Sequence, residues 1–99
     1  MRPDRRSLHN PGMTYVRNSG IIFSAIDREV LALDDGGKFF TFNETTAAIW
    51  QYLEAPRTLP AICSHLADLY DGDPAEIEAD AGEVINRLVS NDLILRHQK

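Results

Sequence analysis

The sequence predicts an α+β fold: a three-stranded antiparallel sheet followed by three helices, in outline like a winged helix-turn-helix. Three observations carry that expectation. Residues 20–26, 29–33 and 38–42 are three short β-branched or aromatic runs, separated only by Asp27-Arg28 and by Asp34-Asp35-Gly36-Gly37. Connections so short cannot cross over, so neighbouring strands run antiparallel. After Asn43 the apolar residues recur at helical rather than strand spacing.

The segment from Gly36 to Leu53, GGKFFTFNETTAAIWQYL, organises the rest. Gly36-Gly37 supplies the backbone freedom of a hairpin turn. Lys38 to Phe42 is the third strand. Asn43 stands at a helix N-cap, where its side-chain oxygen accepts from an early helical amide. Glu44 puts a negative charge in the first turn, which suits the helix dipole. Helix one then spans about 44–54 and stops before Pro56, because the residue preceding a proline is biased away from helix.

Thr58 caps helix two, with Pro60 in its first turn, where a missing amide does no harm. Leu59, Ile62, Cys63, Leu66, Leu69 and Tyr70 form its apolar stripe. Asp71-Gly72 ends it, with Gly72 expected in the left-handed C-terminal position. Asp73-Pro74 opens helix three, which runs to about Ser90 with Ile77, Ala81, Val84, Ile85 and Leu88 on one face. Leu93-Ile94-Leu95 is expected to pack back on the core. Residues 1–19 read as a disordered basic arm, 20–95 as the folded domain and 96–99 as a frayed tail.

The formal net charge is −5, unevenly placed. Residues 1–19 carry a net +3, 96–99 a net +2 and the body, 20–95, a net −10. So acidic a body is a poor match for a phosphate backbone, which is bound through Lys and Arg. Helix three, the recognition-helix equivalent, offers Asn86 and Arg87 amid carboxylates. Nucleic-acid binding by a winged-helix regulator is therefore the disfavoured alternative. One cysteine, Cys63, excludes an internal disulfide framework and a multi-cysteine zinc site, which fits a cytoplasmic protein. No apolar run approaches the length of a membrane span.

No catalytic constellation stands out. His9 and His97 lie in the expected frayed ends. His65 is two residues from Cys63 on a helix, and so points elsewhere, whereas a nucleophile–base pair must face each other. Glu76, Asp80 and Glu83 share a helical face, which reads as solvated surface. Neither a phosphate loop nor a metal site is expected, and no cofactor. The sheet edge is what remains. The third strand is an edge with unpaired amides and carbonyls, and an extended peptide can add to such an edge. Alternation puts Phe40 and Phe42 on one face, Phe39 and Thr41 on the other.

Phe40-Thr41-Phe42-Asn43-Glu44-Thr45-Thr46-Ala47-Ala48-Ile49-Trp50, followed by Arg57-Thr58-Leu59 and Ile62, resembles the signature of the PqqD-like family. Phe42 stands where that signature usually has Leu. Asp73-Pro74, Glu78-Ala79-Asp80 and the ending from Leu88 to Leu95 match as well, so the resemblance spans about 20–95. It implies a RiPP recognition element. Such a domain has no chemistry of its own; it binds the leader segment of a ribosomally made precursor peptide and presents it to a modifying enzyme. By resemblance the leader adds as a strand to the third strand, facing helix three. The implied peptide-binding residues are Lys38, Phe39, Phe40, Thr41 and Phe42, with Asp80, Val84, Arg87 and Leu88. The implied partners are the precursor peptide and a radical SAM enzyme or leader peptidase, in a lasso-peptide, PQQ or related pathway. Neither nucleic acid nor membrane is an expected partner, and the chain is expected to be a monomer or weak homodimer.

Overall fold

The computed structural model describes residues 13–27 and 29–98. Strands β1 (Met13–Arg17), β2 (Ile22–Ile26), β3 (Glu29–Leu33) and β4 (Phe39–Phe42) come first. Helices α1 (Glu44–Tyr52), α2 (Leu59–Leu69) and α3 (Pro74–Ser90) follow, and β5 (Ile94–Gln98) closes the described chain. The expected meander is present as an antiparallel sheet in the order β2-β3-β4.

Two strands lie outside the expected pattern. β1 and β5 pair antiparallel as a separate ribbon, with Met13 opposite Gln98 and Arg17 opposite Ile94. Residues 13–17 are therefore not part of a disordered arm, and Arg96 and His97 lie in a paired strand rather than a frayed tail. Residues 1–12 and Lys99, the rest of those two expected segments, lie outside the described residues. The ribbon forms because Tyr15, Leu93 and Ile94 have apolar surface to bury, and all three sit in the core. Arg57 anchors β1 from outside: its amide donates to the Tyr15 carbonyl at 3.0 Å and its carbonyl accepts from the Tyr15 amide at 2.8 Å.

The β3–β4 turn obeys its sequence. The Gly37 amide donates to the Asp34 carbonyl at 3.1 Å, and the Asp34 amide donates to the Lys38 carbonyl at 3.0 Å. Gly37 has φ +87°, the left-handed conformation that completes a three-residue hairpin loop and that side chains resist. The Asp34 carboxylate braces the loop, accepting from the Gly36 and Lys38 amides at 2.9 and 2.8 Å.

Each helix begins at its expected cap. Asn43 Oδ1 accepts from the Thr46 amide at 2.9 Å, and Thr58 Oγ1 from the Ala61 amide at 3.2 Å. Asp73 Oδ1 reaches the Ala75 amide at 3.4 Å. Losing the Asn43 side chain in Asn43→Ala should cost about 1 kcal/mol. A lower urea midpoint with unchanged slope is the expected readout. Gly72 departs from expectation, since among the described glycines only Gly37 has positive φ. Tyr70 closes α2 instead, extended at φ −131°, while its amide still donates to the Leu66 carbonyl at 2.9 Å.

Ile49 and Trp50 from α1 and Leu53 at its C-cap meet Ile62 and Leu66 from α2, and Ala81, Val84, Ile85 and Leu88 from α3. Val30, Ala32 and Phe42 close that core from the sheet side. Trp50 is fully buried, with its ring 5.4 Å from that of Phe42 and 5.4 Å from that of Phe23. One wall of the core is thus the inner face of the β2-β3-β4 sheet.

Candidate peptide-binding edge

Among the described residues β4 has a hydrogen-bonded neighbour on one side only, β3. Which of its backbone groups face that neighbour follows from register. Asp34 and Lys38 form a hydrogen-bonded pair at the hairpin, and the pairing continues Leu33–Phe39, Ala32–Phe40, Leu31–Thr41, Val30–Phe42. Hydrogen-bonded and non-hydrogen-bonded pairs alternate in an antiparallel ladder. Phe40 and Phe42 therefore spend their backbone groups on β3. Phe39 and Thr41 direct their amides and carbonyls outward, to the free edge.

The expected edge is thereby narrowed. Lys38 lies outside β4, and its amide and carbonyl are already engaged with Asp34. Its ammonium instead lies 5.1 Å from the centroid of the Phe40 ring. Phe40 is half-buried against the core and Phe42 is buried, whereas Phe39 is 64 % exposed. The expected alternation of faces is present: Phe40 and Phe42 turn inward, Phe39 and Thr41 outward. The outer face also carries Ile22, Ile26 and Leu31, all exposed, so Phe39 belongs to an apolar surface that the sequence reading did not single out.

The four α3 residues divide. Val84 and Leu88 are buried in the same core as Phe42. Asp80 and Arg87 are exposed. At 100° per residue, Val84 and Arg87 lie on one flank of the buried stripe. Glu78, Gly82, Ile85 and Asn86 line the other, which faces a cavity of about 720 Å³ against Met13, Tyr15, Leu59 and Arg96. Asp80 sits at the rim of that cavity. Sequence reading missed this cavity because two of its walls, β1 and β5, were not read as strands.

Titratable groups near the cavity are tuned by burial. Burial raises the Tyr15 hydroxyl above its usual value, and the nearby Arg96 opposes that in part. Burial also raises the half-buried Cys63 thiol, and Glu78 adds to the rise. A thiol kept protonated is a poor nucleophile. His65 faces away from it and stacks on Tyr52 at 4.0 Å, with Arg57 4.3 Å over the same ring. Among the described residues no group of three or more His, Cys, Asp or Glu is placed to hold a metal ion. Nor, among them, is any helix long and apolar enough to cross a membrane.

Residues 28–94 match the family model described as coenzyme PQQ synthesis protein D (PqqD). The chain belongs to the PqqD family. No curated protein matches this PqqD-family chain. Among solved structures, TbiB1 in complex with the TbiA(beta) leader peptide superposes with a TM-score of 0.73 at 22 % identity, covering 80 % of this chain and 93 % of that one. Lasso peptide synthetase B1 complexed with the leader peptide gives 0.71 at 22 %, covering 82 % and 96 %. The solution structure of the PqqD truncation of Methylobacterium extorquens PqqCD, a functional and stand-alone RiPP recognition element, gives 0.68 at 20 %, covering 83 % and 88 %. At such identities the likeness is one of fold, and it extends over most of each chain. The expected PqqD-like fold is thus present, with the β1–β5 ribbon in addition to the three strands and three helices.

Proposed function

We propose that this PqqD-family chain binds the leader segment of a ribosomally synthesised precursor peptide as an added strand on β4. The observation that carries the proposal is the β4 edge, unpaired among the described residues, on which Phe39 and Thr41 present outward backbone groups and exposed side chains. A strand added there pairs its main chain with those two residues. Its alternate side chains face inward, towards the flank of α3 that holds Val84 and Arg87. Phe42 and Leu88, being buried, act as the floor beneath the peptide rather than as its contacts. The Lys38 ammonium is a charge at the turn end of the edge. The family match, and the leader peptides bound in two structures of the same fold, support this reading.

The chain performs no chemistry in this reading. It hands the peptide to a modifying enzyme, either a radical SAM enzyme or a leader peptidase. Titrating isotope-labelled protein with candidate leader peptides tests the proposal. Chemical-shift changes are expected at Phe39, Thr41, Val84 and Arg87. Changes confined to β1, β5 and the back of α3 would refute strand addition at β4.

A further inference from the structure

A strand added to β4 extends the outer face of the sheet as well as its inner one. By register the outer face carries the rows Ile22–Leu33–Phe39 and Ser24–Leu31–Thr41, with Ile26 and Glu29 beyond them. Ile22, Ile26, Leu31 and Phe39 are exposed there. Ser24 and Thr41 are short, and they line a cavity of about 640 Å³ together with Ile26, Glu29 and Leu31. Phe39 and Thr41 are also the two residues whose backbone groups point outward. Each takes one peptide residue directly opposite it, and those two peptide residues stand two apart. Directly opposed side chains share a face. Both peptide side chains therefore stand on the outer face, whichever way the peptide runs. The residue between them turns inward, towards α3.

We propose, on the basis of strand addition at β4, that the leader is selected by two large apolar side chains at i and i+2 that lie on the outer face of the sheet. The one opposite Phe39 extends the apolar row of Ile22, Leu33 and Phe39. The one opposite Thr41 leans over that short side chain into the cavity, against Leu31. A carboxylate at this second position is disfavoured, because the cavity already holds Glu29. The peptide is the occupant because the cavity opens on the pairing edge: Thr41 both lines it and bonds the added strand. A second copy suits the face less well. Asp27 and Glu29 stand at one end and Asp34 and Asp35 at the other, so two such faces bring like charges together.

A synthetic candidate leader peptide that moves the Thr41 amide is scanned by single alanine replacements, with affinity read by titration calorimetry. Two positions, two apart, should each lose about three- to tenfold. In Phe39→Thr or Leu31→Thr protein, which keeps a β-branched residue in the strand, the loss at the matching position should largely vanish. Nuclear Overhauser contacts from the same two side chains should reach the Phe39 ring and the Leu31 methyls. Glutamate opposite Thr41 should bind more weakly than alanine there, and Glu29→Gln should relieve that extra loss. If Leu31→Thr fails to fold, Phe39→Thr and the Overhauser contacts carry the same test, since Phe39 is exposed. Coupling to Val84 or Arg87 alone, with Thr41 still shifted, would overturn the proposal and leave strand addition standing. A peptide that binds without moving Thr41 would refute both. Peptide-free signals of Ile22, Leu31 and Phe39 that broaden as protein concentration rises would assign the face to a second copy, and that too would overturn the proposal.

Discussion

Trp50→Ala is expected to unfold most of the chain at room temperature. Trp50 is fully buried, and both its aromatic neighbours come from the sheet. Arg17 of β1 lies 5.7 Å from its ring, so the same side chain touches the ribbon as well. Removing a buried Trp costs about 3–5 kcal/mol. A small domain holds only ~5–15 kcal/mol in all, and one of this size sits toward the lower end. The contrast is Trp50→Phe. Among the described residues the Trp50 indole N–H has no hydrogen-bond partner, and an unpaired buried donor costs about 1–3 kcal/mol. Phenylalanine removes that donor and keeps a ring against Phe23 and Phe42, so its loss should be much smaller. Circular dichroism during urea unfolding is the suitable probe, because Trp50 is the only tryptophan. A Trp50→Ala midpoint no lower than that of Trp50→Phe would refute this account of the core.

Thr41→Pro is expected to weaken leader-peptide binding roughly 10–100-fold while the fold survives. The Thr41 amide faces the free edge, so proline removes no bond to β3; prolines are tolerated on edge strands for this reason. The incoming strand loses one donor, and its own carbonyl is left without a partner as it desolvates. That loss is worth about 1–3 kcal/mol, and each 1.4 kcal/mol is about tenfold in affinity. Two controls sharpen the outcome. Thr41→Val keeps the amide and should bind nearly as well as the parent. Phe40→Pro removes an amide that faces β3, so it should destabilise the hairpin itself. Unchanged affinity in a folded Thr41→Pro would mean that the peptide does not pair along β4.

Much of this fold was legible because its signals are local. Asn43, Thr58 and Asp73 sit one residue before their helices, and a cap acts within a single turn. The meander was legible because Asp34 to Gly37 leaves no other connection. The ribbon was not legible, because its information is spread across the chain. Met13–Arg17 holds one buried residue, Tyr15, and its partner strand lies about eighty positions away. Only contact with Leu93, Ile94 and Arg57 makes those five residues a strand. The site divides the same way. That Phe39 and Thr41 face one side and Phe40 and Phe42 the other follows from period two alone. Which of them offer backbone groups depends on the hairpin register, set by the Asp34–Lys38 pair and the Gly37 conformation. The α3 residues were the least legible, since the flank turned to a neighbour depends on tertiary packing.

The β1–β5 ribbon has a consequence for how such a domain can be joined to others. Met13 and Gln98 are paired neighbours, so both ends of the described chain leave from one corner of the molecule. A second protein fused ahead of residue 13 or behind residue 98 would be tethered at the same point. Its effective concentration at the β4 edge would then depend on linker length and hardly on gene order.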